Sequence, residues 1–170
     1  MTDNIRFDTC CVLGSWVYTG AGLRTIAMNE GVGEKTPKKG EVLIFVVDDE
    51  IMVAEVVEAV LSMQHYQVIL FDNPKRALEA FIAADPKPDL LFTDYVMDEM
   101  SGLELIEECK RLHPAVKTIL YSGSVGQEIW ETGATKPDDF ISKPFHPRNL
   151  LDVVRSVLAS RSRPVNPDGA

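Results

Sequence analysis

Five short apolar runs alternate with stretches of helical periodicity, and this alternation restricts the chain to very few folds. The runs are Val42–Val47, Gln67–Phe71, Leu90–Thr93, Thr118–Tyr121 and Phe140–Ser142. The first four are rich in Val, Ile, Leu or Phe and do not alternate in polarity, as strands buried on both faces should read. The last is weaker and rests partly on its place in the series. Val53, Val56, Val57, Val60 and Leu61 follow the spacing of one helix face. Ala77, Leu78 and Phe81 begin a second face, with Pro74 suited to the first helical turn. Leu105, Cys109 and Leu112 mark a third, and Leu150, Leu151, Val154, Val157 and Leu158 a last one. Between Gly126 and Gly133, Val125–Thr132 is the poorest helical pattern. The expected fold is α/β, a doubly wound five-stranded parallel sheet with helices on both faces. Such sheets bind ligands at the carboxyl ends of their strands, near the switch point of the strand order.

The length of 170 residues leaves room for one ordinary domain with tails. Residues 1–40 are glycine-rich without a sustained period, and are expected to form a flexible N-terminal extension. Within them Lys35–Gly40 reads as a linker and Met28 as a candidate internal start. Residues 41–160 form the expected domain, and 161–170, with Pro164 and Pro167, an expected disordered tail. A net charge of -9 argues against non-specific binding to nucleic acid or to an anionic membrane. It suits a local acidic pocket that takes a cation. Cys10, Cys11 and Cys109 have no C-x-x-C spacing, so reduced thiols in a cytoplasmic protein are the simplest reading. No apolar run reaches the length of a membrane span, and no signal peptide is expected.

Each strand end carries a residue with a plain structural explanation of its own. Asp48, Asp49 and Glu50 suit a helix cap, Asp94 a turn, Ser122 and Gly123 a Ser/Gly turn, and Lys143 an exposed loop before Pro144. A parallel sheet brings all of these to one edge, and the separate explanations account poorly for the joint pattern. The set fits phosphoryl transfer to a carboxylate. Two carboxylates about 4 Å apart repel by roughly 4 kcal/mol at an effective dielectric near 20. A divalent cation relieves that repulsion, and hard oxygen donors suit Mg²⁺. Asp94 can serve as nucleophile, Lys143 can answer a phosphoryl oxygen, and the Ser122 hydroxyl can donate to another.

In order and spacing, five motifs resemble the receiver domains of two-component response regulators, the CheY-like, flavodoxin-like superfamily. They are Val46-Val47-Asp48-Asp49-Glu50, Leu91-Phe92-Thr93-Asp94-Tyr95-Val96-Met97, Ser101-Gly102-Leu103-Glu104-Leu105, Leu120-Tyr121-Ser122-Gly123 and Phe140-Ile141-Ser142-Lys143-Pro144-Phe145. The likeness runs from about Glu41 to Ala159. It implies that Asp94 accepts phosphate, that Asp49 binds Mg²⁺ directly and Asp48 through water, and that the Val96 carbonyl completes the protein ligands. It also makes Phe140 the switch aromatic, moving inward as Ser122 swings towards phosphate. The chain departs from the family where a Pro commonly follows the Met after the phosphorylated Asp. Asp98 and then Glu99 stand here, which puts loop stiffness and metal affinity in question.

With only 161–170 after the last helical pattern, the expectation is a stand-alone phosphoacceptor without a DNA-binding or enzymatic output domain, catalysing only its own phosphorylation and dephosphorylation. The implied partners are a sensor histidine kinase or histidine phosphotransfer protein and a downstream effector, with no nucleic acid and no membrane insertion; a homodimer is compatible. His65, His113 and His146 read as surface residues. A metal-dependent phosphatase of similar fold is the rival, but it typically needs Asp-x-Asp after a strand. Asp48-Asp49 is adjacent, and Asp94-x-x-x-Asp98 is too long. A third reading is a phosphate-independent interaction module, which the full set of site residues opposes.

Overall fold

The five apolar runs form one parallel sheet in the computed structural model, which describes residues 11–13, 16–19, 22–25, 41–123 and 135–160. In chain order, β1 (Cys11–Leu13), β2 (Trp16–Thr19) and β3 (Gly22–Thr25) precede this sheet. Its strands are β4 (Leu43–Val47), β5 (Gln67–Phe71), β6 (Leu90–Asp94), β7 (Lys117–Ser122) and β8 (Asp139–Ser142). The helices described are α1 (Ile51–Ser62), α2 (Pro74–Ala83), α3 (Gly102–Leu112) and α4 (Pro147–Ala159). Strand order is β5-β4-β6-β7-β8, so the winding reverses beside β4 and the expected doubly wound sheet is present. The helical pattern at Val125–Thr132 and the tail 161–170 lie outside the described residues.

Successive side chains of a strand point to opposite faces, so an unbroken apolar run requires cover on both sides. Leu43, Phe45 and Val47 of β4 join Ala77 and Phe81 of α2 and Leu105, Ile106 and Cys109 of α3 in one core. Ile44 and Val46 face the other way, packing with Ala54, Val57 and Leu61 of α1 and Leu150, Val154 and Val157 of α4. Two positions of the sequence-derived faces are corrected. Val56 is 54% exposed and Leu112 41%, while Ala54 and Ile106 are buried in their elements. A core-facing stripe centred on Val57 takes the residues three before and four after it, and Val56 falls outside that arc.

The helix starts sit just past the strand ends. Asn73 accepts from the Lys75 and Arg76 amides ahead of Pro74, and Ser101 and Glu104 form a capping box on α3. Within 1–40, where no period is legible, β1, β2 and β3 pair as an antiparallel meander. Leu13 pairs with Trp16 and Thr19 with Gly22.

Candidate functional site

The backbone ladder runs on beyond the strand ends and fixes where the loops begin. The Asp48 amide donates to the Phe71 carbonyl at 3.1 Å, Tyr95 to Tyr121 at 3.0 Å and Lys143 to Ser122 at 2.8 Å. These bonds hold Asp48, Asp94 and Lys143 at one edge of the sheet although they belong to distant parts of the chain. Asp48 is fully buried and Asp94 is 5% exposed. The Lys143 ammonium stands between them, 2.7 Å from Asp94 Oδ1 and 3.1 Å from Asp48 Oδ2. Asp94 Oδ2 accepts the Val96 amide at 2.7 Å, and Asp48 Oδ1 accepts the Glu50 amide at 2.8 Å. Both carboxylates are therefore oriented by backbone as well as by lysine.

The electrostatics follow from burial. Loss of hydration pushes the Asp94 carboxyl above the ordinary aspartate value; hydrogen bonds from Lys143 and Val96 oppose the rise, and the Asp48 charge adds to it. Burial disfavours the Lys143 ammonium, yet its hydrogen bonds and charge pairing with Asp94 and Asp48 outweigh that cost and raise its pKa.

Other expected residues take different places. Asp49 is solvent-exposed beside the buried pair, and the Val96 side chain is 56% exposed. Ser122 is buried at the end of β7, one residue beyond Tyr121, which pairs in register with Asp94. Phe140 is half-buried on β8 against the α2–α3 core. The donor set of Asp48, Asp49, Asp94 and the Val96 carbonyl is made of hard oxygens, which fits Mg²⁺ chemically. Among the described residues, no three His, Cys, Asp or Glu side chains already converge as a metal cluster. Lys143 lies between two of the acids and the third faces solvent.

The loop after Asp94 has tethers that the sequence does not announce. Asp98 is exposed, Met97 is buried in the core, and Met100 N–H donates to the Asp98 carbonyl at 2.8 Å. Glu99 adopts a φ of 69°, a conformation uncommon outside Gly, Asn and Asp. Its carboxylate accepts from Asn73 Nδ2 at 3.1 Å and lies 3.7 Å from the Lys75 ammonium. Gly102 is required at the start of α3. A Cβ there would meet the Asp94 carbonyl oxygen at 1.9 Å and Leu120 Cδ1 at 2.9 Å.

Tyr121 is the site residue that motif reading passes over. Its fully buried ring packs on Phe92 at 4.4 Å and on Phe145 at 6.0 Å, and its hydroxyl donates to Asp48 Oδ2 at 2.5 Å. The available signal was a tyrosine inside a strand buried on both faces, whose hydroxyl must find a partner.

A family model described as the response regulator receiver domain matches residues 44–155, all four described helices and all five strands of the parallel sheet falling wholly or partly within that span. The chain belongs to the response regulator receiver family. As a receiver it is a component of two-component signalling. It is similar to the phosphate regulon transcriptional regulatory protein PhoB of Pseudomonas aeruginosa, 34% identical over 68% of this chain and 51% of that protein. It is also similar to the two-component response regulator ORR5 of Oryza sativa subsp. japonica, 30% identical over 68% of this chain and 87% of that protein. The match thus spans about half of the PhoB relative and most of the rice one. Among solved structures, the receiver domain of NtrX from Brucella abortus matches with a TM-score of 0.62 and 30% identity, covering 69% of this chain and 98% of that one. A CheY-like receiver domain protein from Methanospirillum hungatei matches with a TM-score of 0.66 and 25% identity over 72% and 97% of the two chains. No helix among the described residues of this receiver is long and apolar enough to cross a membrane.

Proposed function

We infer that this receiver accepts a phosphoryl group on Asp94 from a phosphohistidine donor and thereby changes its binding to a downstream protein. The observation that carries this reading is the Lys143 ammonium held between Asp94 and Asp48 at the carboxyl edge of a receiver sheet. An Asp94 carboxylate oxygen attacks phosphorus, the bond from phosphorus to the donor nitrogen breaks, and an aspartyl phosphate results. Lys143, already 2.7 Å from Asp94, exchanges its carboxylate contact for a phosphoryl oxygen, and the Ser122 hydroxyl donates to another. Asp48, Asp49 and the Val96 carbonyl are the residues that would hold Mg²⁺ together with Asp94. When bound, the ion supplies positive charge that offsets the phosphoryl oxygens.

The donor is a sensor histidine kinase or a histidine phosphotransfer protein, and the recipient of the signal is an effector that reads the face around Ser122 and Phe140. The chain turns over only its own phosphate and works in the cytoplasm, where Cys109 remains a free thiol. Burial pushes that thiol up to about 12, so it stays protonated and unreactive. The test is labelling by acetyl phosphate in the presence of Mg²⁺. Wild type acquires a phosphate that is labile to acid and base, and Asp94→Asn acquires none. Equal labelling of the two proteins refutes the assignment.

A further inference from the structure

Asp48 is more heavily subscribed than a carboxylate waiting for a cation should be. An ionised carboxylate offers about four acceptor positions. On Asp48 one is taken by the Glu50 amide at Oδ1, and two at Oδ2 by the Tyr121 hydroxyl and the Lys143 ammonium. Asp94 accepts from Lys143 at Oδ1 and from Val96 at Oδ2. The hydroxyl cannot swing away. Phe92 and Phe145 pack on its ring, which is fully buried, so its oxygen is fixed by the core rather than by the pocket. The Lys143 ammonium also lies over that ring, 4.5 Å from its centre, which adds a cation–π attraction to its two ion pairs.

We propose that Tyr121 is a positioning residue that sets the divalent-cation affinity of the pocket, holding Asp48 Oδ2 and Lys143 in the arrangement that precedes metal entry. Nothing in the receiver motifs assigns Tyr121 a role; the contact is made by a side chain that otherwise belongs to the α1–α4 core. A hydrogen bond to a charged group is among the stronger ones, so its removal should be readable in the binding of Mg²⁺. Losing the hydroxyl frees an acceptor position on Asp48 and leaves more of its charge to the ion. The inference rests on the Mg²⁺ site described under the proposed function.

The experiment is calorimetric titration of Mg²⁺ into wild type, Tyr121→Phe, Asp48→Asn and the double variant, each with its thermal midpoint measured. Tyr121→Phe should bind Mg²⁺ about fivefold or more tightly, and in the Asp48→Asn background the same change should leave the affinity unaltered. A merely structural tyrosine would lower the midpoint without moving the affinity. Wild type that binds Mg²⁺ with Tyr121→Phe binding equally or more weakly overturns the inference alone. So does the same tightening with Asp48 already replaced. Wild type that binds no Mg²⁺ overturns the Mg²⁺ site itself and the inference with it.

Discussion

Lys143 holds the charge balance of the receiver pocket. Removing its ammonium leaves Asp48 and Asp94 buried and facing one another with no cation between them. Lys143→Ala should therefore destabilise the fold by about 3 kcal/mol in the presence of a chelator, the lower end of the range for breaking a buried ion pair. The raised pKa sets the pH window. The contribution is complete below the ordinary lysine value of 10.5 and is lost as pH rises through the higher folded value. Urea unfolding of wild type and variant should show the full difference at neutral pH and a shrinking one only in alkali. Equal stabilities at neutral pH would remove the lysine from this role. Asp48, Asp94, Ser122 and Lys143 were legible in sequence because each directly follows an apolar run. Tyr121 and Glu99 were not: a tyrosine in a strand reads as core, and a positive φ at glutamate leaves no mark on residue type.

At the scale of elements, two attachments position the pocket. Where α3 begins, the Gly102 amide donates to the Tyr95 carbonyl at 3.1 Å, bringing its Cα against the end of β6. Gly102→Ala would set a methyl group 1.9 Å from the Asp94 carbonyl oxygen, a backbone atom that cannot yield alone. The expected result is a loss of about 1–3 kcal/mol from overpacking, with slower labelling of Asp94 in the molecules that remain folded. Thermal unfolding and acetyl-phosphate kinetics check both parts, and an unaffected variant would mean that α3 docks less tightly than the distances state. The second attachment leads into β8. Asp138 accepts from the Thr118 amide and hydroxyl, both at 2.9 Å, and pairs with Lys110 at 3.1 Å and Lys117 at 3.5 Å. Burial alone would raise its pKa, but the Lys110 and Thr118 contacts prevail and lower it. Its contribution is present above the ordinary aspartate value of 3.8 and disappears as pH falls through the lower folded value. Asp138→Asn should cost about 1–2 kcal/mol at neutral pH, and the difference should vanish in acid. A pH-independent difference in unfolding free energy would contradict the charge argument. Neither attachment was legible beforehand: the first is a close approach of backbone to backbone, and the second joins Asp138 to residues far from it in sequence and ordinary in type.

For the molecule as a whole, the sheet was readable because burial on both faces leaves unbroken apolar runs, a signal independent of any partner strand. The β1–β3 meander was not, because its strands of three and four residues are too short to establish a period. The site itself depends on complete closure of the parallel sheet. The bond between Lys143 and Asp48 joins residues 95 positions apart, and the lysine directly follows β8, the last strand of the sheet in chain order. During synthesis both carboxylates leave the ribosome well before the ammonium that neutralises them. Contacts of such separation form only after long stretches of chain have been ordered. A nascent or truncated receiver therefore has its acids but not their counter-charge, and competence to receive a signal arrives together with the finished fold.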